Sequence, residues 1–125
     1  MKLFHFSRSA LRALILGAAA LVVTPAAFAH AHMVSSEPAA NAVVVAPAAL
    51  TIHFTEPLEP AFSKITLDDA SGKDAVATAS TVDTQDAKVM RIALPQLAAG
   101  RYAVHWIAVA TDGHRTQGDF AFNVK

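Results

Sequence analysis

The sequence predicts an all-β fold, a two-layer antiparallel sandwich, and three observations predict it. No stretch after Pro25 shows a 3.6-residue apolar period. Short segments instead alternate polar and apolar residues, as half-buried strands do. Pro, Gly, Asn or Asp separates these segments at short intervals, and about seven of them fit one small sandwich.

The segment from His32 to Glu37 reads as a first strand, stopped by Pro38 and a turn around Asn41. Val43-Val44-Val45 is a short apolar run closed by Pro47. Leu50 to Thr55 alternates with Leu50, Ile52 and Phe54 inward and His53 outward. Glu56-Pro57-Leu58-Glu59-Pro60 must be a loop, since two prolines in five residues cannot sit in a central strand. Phe62 to Leu67 alternates again, with Ser63, Ile65 and Leu67 on one face. Ser71-Gly72 centres the turn from Asp68 to Asp74, and residues 75–87 are small and polar, a weak edge strand and a loop. Val89 to Leu94 is a strand ended by Pro95. Gly100 opens the longest strand, Arg101 to Ala110, with Tyr102, Val104 and Trp106 inward. Asp112-Gly113-His114 turns the chain, and Gly118 to Val124 returns with Phe120, Phe122 and Val124 inward.

The first 29 residues differ from all of this. Lys2, Arg8 and Arg12 precede an apolar run from Ala13 to Val23, Thr24-Pro25 breaks it, and Ala27-Phe28-Ala29 offers small residues at the cleavage positions. That is a secretory signal peptide, too short for the roughly 20 apolar residues that span a bilayer. Cleavage after Ala29 leaves 96 of the 125 residues, enough for one domain, with seven basic against ten acidic residues. The acidic balance argues against nucleic acid and anionic membrane surfaces as partners. The chain has no cysteine, which excludes thiol catalysis, thiolate metal sites and a lipoprotein anchor. The expectation is a soluble, monomeric periplasmic protein, with no stable membrane insertion after cleavage.

Cleavage also makes His30 the first residue. An N-terminal histidine carries an α-amine and an imidazole Nδ1 that can grip one metal ion in a six-membered ring. Asp112 and His114 flank Gly113, which tolerates positive φ and can swing both side chains to one side, although Asp-Gly is also a common hairpin pair. The His30 amine, the His30 and His114 imidazoles and the Asp112 carboxylate together make three nitrogens and one oxygen. Tetragonal nitrogen and oxygen donors suit Cu(II), one ion per mature chain. Affinity should fall with acidity near the amine pKa of about 7.7–8.0 and the imidazole pKa of about 6.5. His32 offers a competing mode, in which the amine, the two backbone amides of Ala31 and His32 and the His32 ring bind copper. That mode needs both amides free, so His32 is placed as an accessory ligand or a bystander. His53 and His105 read as surface residues.

These residues resemble the CopC/PcoC family of periplasmic copper-resistance proteins. The likeness runs through His30-Ala31-His32-Met33-Val34-Ser35-Ser36-Glu37-Pro38, Phe54-Thr55-Glu56-Pro57-Leu58-Glu59, Tyr102-x-Val104-x-Trp106, Thr111-Asp112-Gly113-His114 and Gly118-Asp119-Phe120-Ala121-Phe122-x-Val124. It covers residues 30–125. It implies an immunoglobulin-like Greek-key sandwich, with Cu(II) held by the residues that correspond to His30, Asp112 and His114. It also implies a role for Glu56 as an acid that orients a ligand, since metal-bound histidines need an outer acceptor. The partner it implies is a CopD-like inner-membrane copper transporter. Some members carry a methionine-rich loop for Cu(I). Here the mature chain has only Met33 and Met90, both in strand-like segments, so no dedicated Cu(I) site is expected. The reading is a copper-binding protein for homeostasis or resistance and no enzyme. The competing reading is a histidine-brace, oxygen-activating copper enzyme, against which stand the Asp112 ligand and the small size.

Overall fold

The computed structural model describes residues 30–125, and the leader with its cleavage positions lies outside the described residues. Eight strands run β1 Met33–Glu37, β2 Val43–Val44, β3 Ala49–Phe54, β4 Lys64–Asp68, β5 Thr81–Val82, β6 Val89–Ala93, β7 Gly100–Val109 and β8 Arg115–Val124. They form two four-stranded sheets, β1-β3-β6-β5 and β2-β8-β7-β4. Relabelled A to G, that order is the ABED and CFG arrangement of an immunoglobulin sandwich, with one short strand added at the G edge. Among the described residues no helix is long and apolar enough to cross a membrane.

The alternation places the core as the sequence predicts. Leu50, Ile52 and Phe54 of β3, Ile65 and Leu67 of β4, Met90 and Ile92 of β6, Tyr102, Val104 and Trp106 of β7, and Phe122 and Val124 of β8 are buried between the sheets. Met33 packs against this cluster and Met90 is inside it, so both methionines serve the core. Tyr102 closes the β6–β7 crossover, its hydroxyl donating to the Ala98 carbonyl at 2.7 Å. That is the tyrosine corner of immunoglobulin-like sandwiches, and it satisfies a phenol that would otherwise be buried unpaired.

One expectation needs correction, and one loop does more than its sequence shows. The sandwich is not wholly antiparallel, because β2 pairs parallel with β8 through Val43–Asn123 and Val44–Val124. The chain leaves one sheet after β1 and joins the other, so the Val43-Val44 run seals an edge and brings the strand count to eight. The loop from Glu56 to Pro60 also contributes to the core. Leu58 is buried and bridges to Ala110, which fixes this loop against the end of β7.

Candidate metal centre

The N-terminal segment and the β7–β8 turn meet at one end of the sandwich. Gly113 has φ +91°, a conformation side-chain-bearing residues rarely adopt, and it folds Asp112 and His114 together. Asp112 Oδ1 accepts from the His114 backbone N–H at 3.0 Å, and Asp112 Oδ2 lies 3.0 Å from His114 Nδ1. The His114 amide, then its ring, hold the Asp112 carboxyl below the ordinary carboxylate range, and the charges of His114 and His30 add to this. With Nδ1 turned to the carboxylate, Nε2 is the ring nitrogen His114 can offer a metal. The ring is more than half exposed.

His30 reaches the same place from more than eighty residues away. Its ring centroid lies 4.9 Å from that of His114, and 6.2 Å from that of His32. The backbone between them is pinned. Ala31 has no exposed surface, and its carbonyl accepts from the Thr116 hydroxyl at 2.6 Å. The His32 amide donates to Thr55 Oγ1 at 3.0 Å, and that hydroxyl lies 3.2 Å from the His30 carbonyl. The His32 carbonyl accepts from the Thr55 amide at 2.9 Å.

The structure therefore brings His30, Asp112 and His114 to one corner. Among the described residues, however, no three His, Cys, Asp or Glu side chains form a group ready to hold a metal. The Asp112 carboxylate already accepts from the His114 amide and faces its ring, and the further expected donor is the His30 amine, which the bond from Ala29 ties up in the full-length chain. Glu56 follows Thr55 and is half-buried, and among the described residues no hydrogen bond or ion pair joins it to Asp112 or His114. His53 sits near the end of β3 opposite Ser35 and Val89, and no hydrogen bond or ion pair among the described residues joins it to Asp112 or His114.

His105 is a surface residue, as the sequence predicts, but it has two acidic partners. It is nearly half exposed, yet its Nδ1 lies 2.5 Å from Asp119 Oδ1 and its Nε2 lies 3.1 Å from Asp68 Oδ2. Those carboxylates raise its pKa, Asp119 most strongly. Thr55 and Thr116 also went unmarked in the sequence. The one available sign was Thr116 itself, a hydroxyl in the inward register of Gly118, Phe120, Phe122 and Val124.

Comparison with known proteins agrees with this architecture. The CopC domain family matches residues 33–125. Protein YobA of Escherichia coli K12 is 38% identical over 106 residues, spanning 83% of this chain and 86% of that one. Copper resistance protein C of Xanthomonas campestris pv. juglandis is 34% identical over 113 residues, 86% of this chain and 89% of the other. The crystal structure of CopC from Methylosinus trichosporium OB3b superposes with a TM-score of 0.73 at 30% identity, covering 77% of this chain and 94% of that one. A family match over all eight strands, relatives of nearly the same length and a shared two-sheet sandwich lead to one conclusion: the chain belongs to the CopC family.

Proposed function

We propose that the mature chain, cut after Ala29 and held in the periplasm, binds one Cu(II) through the His30 amine and imidazole, the His114 imidazole and the Asp112 carboxylate. The observation that carries this reading is the meeting of His30 and His114, rings 4.9 Å apart, with Asp112 against His114. Three nitrogens and one oxygen with no thiolate fit Cu(II) better than Cu(I). The His32 amide is engaged by Thr55, which speaks against the mode that needs that nitrogen deprotonated and leaves His32 an accessory neighbour. Copper is cargo here. The ring of His114 and the terminal residue present it at an exposed corner, where a second protein can take it ligand by ligand.

Delivery to a CopD-like inner-membrane transporter is the second half of the proposal. A groove of about 630 Å³ beside the turn supports it, lined by Phe62, Ile107, Val109, Gly113 and Arg115 among others. Phe62 is 68% exposed there, and with Ile107 and Val109 beside it gives the groove an apolar face that suits a protein partner. Catalysis is the weaker alternative, because the Asp112 oxygen fills the position an oxygen-activating brace would keep open.

The test is a Cu(II) titration at neutral pH. Protein starting at His30 should bind one equivalent, and the same protein with one extra N-terminal residue should lose several orders of magnitude in affinity. His114→Ala should weaken binding strongly and His32→Ala should not. Absence of stoichiometric binding by the mature form would overturn the copper reading, and oxygen consumption by the loaded protein with a reductant would revive catalysis.

A further inference from the structure

We infer that Thr116 and Thr55 are positioning residues that set where His30 meets His114, an inference that rests on the copper site proposed above. A first residue has a peptide bond on one side only, so its chelating amine and ring follow whatever holds its carbonyl and the next residue. In this chain both carbonyls are held by threonine hydroxyls, and the two come from different sheets. Thr55 follows β3 and lies 3.2 Å from the His30 carbonyl, while Thr116 of β8 holds the Ala31 carbonyl at 2.6 Å. Between them Ala31 is fully buried, which leaves the backbone no room to turn.

The position of Thr116 couples the two imidazoles. It lies two residues after His114, a spacing of about 7 Å along an extended chain. One segment therefore presents a copper-binding ring and, a fixed distance on, the donor that anchors the residue next to His30. The chemistry at this position is not that of a core filler. Thr116 occupies the inward register of β8, where the following inward residues are Gly118, Phe120, Phe122 and Val124. Valine would match its shape there but would leave the Ala31 carbonyl without this donor. The Ala108 carbonyl, at 3.4 Å, is a much longer second contact for the same hydroxyl.

The experiment uses mature protein starting at His30 and compares Thr116→Val with Thr116→Ser. Three quantities are read: Cu(II) affinity by chelator competition, the Cu(II) electron paramagnetic resonance signature, and the melting temperature of the metal-free protein. Thr116→Val should weaken copper about tenfold or more and alter the resonance signature, as loss of a partner that orients a ligand does. Thr116→Ser should restore both, because it keeps the hydroxyl. The exposed Thr55 gives a second pair, Thr55→Val and Thr55→Ser, that tests the same idea should Thr116→Val fail to fold. Wild-type affinity and signature in the valine variants would overturn the inference, as would a serine variant as weak as valine, which would show that the hydroxyl does not by itself set the site. His114→Ala and the N-terminally extended protein run alongside. If both of those still bind copper normally, the site itself is wrong, a failure distinct from a mistaken role for the threonines.

Discussion

At the residue scale, Gly118 shows how closely the two long strands approach. It pairs across the sheet with Trp106, and a Cβ built on it would lie 2.6 Å from Trp106 Cε2 and 2.9 Å from Nε1. The indole itself is wedged edge-on against Phe54 and buried, so it cannot step aside cheaply. Gly118→Ala should therefore cost about 1–3 kcal/mol through overpacking. A thermal melt should register it as a drop of roughly 4–8 °C for each kcal/mol in a domain this small. An unchanged melting temperature would mean that Trp106 has somewhere else to go. The sequence showed Gly118 opening a strand and Trp106 facing inward. It could not show that one lies over the other, because cross-strand neighbours depend on register.

At the element scale, the same limit explains His105. Strand alternation has a period of two and can be counted along the chain, which is why the inward faces of β3, β4, β6, β7 and β8 were legible from Leu50 to Val124. The partners of an outward residue depend on which strands lie beside it. His105 stands opposite Asp119 of β8 and Thr66 of β4, and Asp68 approaches from the next outward position on β4. Imidazolium between these two carboxylates ties three strands of one sheet. Its pKa is raised in the folded chain, so the folded state holds the proton more tightly than the unfolded state. The stabilisation is then fully present below the ordinary imidazole pKa of about 6.5 and is lost as pH rises through the raised folded value. Melting wild type and His105→Gln in parallel across this range should show the largest gap in acid and a shrinking one toward alkaline pH. A gap independent of pH would show that His105 contributes packing and no charge. The parallel pairing of β2 with β8 was hidden for a related reason: a two-residue strand carries no periodicity to read.

At the scale of the whole molecule, the proposed copper corner joins distant parts of the chain, and its candidate ligands stood out in the sequence because their chemistry is unusual. A histidine just after small-residue cleavage positions and an Asp-Gly-His turn stand out in any fold. The threonines that align them do not, since Thr is common in strands and only the packed sandwich puts Thr116 under Ala31. A ligand that binds only the folded state stabilises it by mass action, by about 2.7 kcal/mol at a hundred times its dissociation constant. Copper should accordingly raise the melting temperature of the mature protein on the order of 10 °C, a chelator should reverse the gain, and a chain extended before His30 should show almost none. Equal gains in both forms would mean that the metal binds elsewhere. The strand that follows His30 adds a kinetic consequence. β1 is an edge strand of its sheet, it pairs only with β3, and its register slips at Val34. As an edge strand it can peel away while Leu50, Ile52 and Phe122 stay packed, a partial opening of the kind that native-state hydrogen exchange detects. Copper at the proposed site would then have an exit that leaves the sandwich intact, with a residence time set by how often a five-residue edge strand lifts.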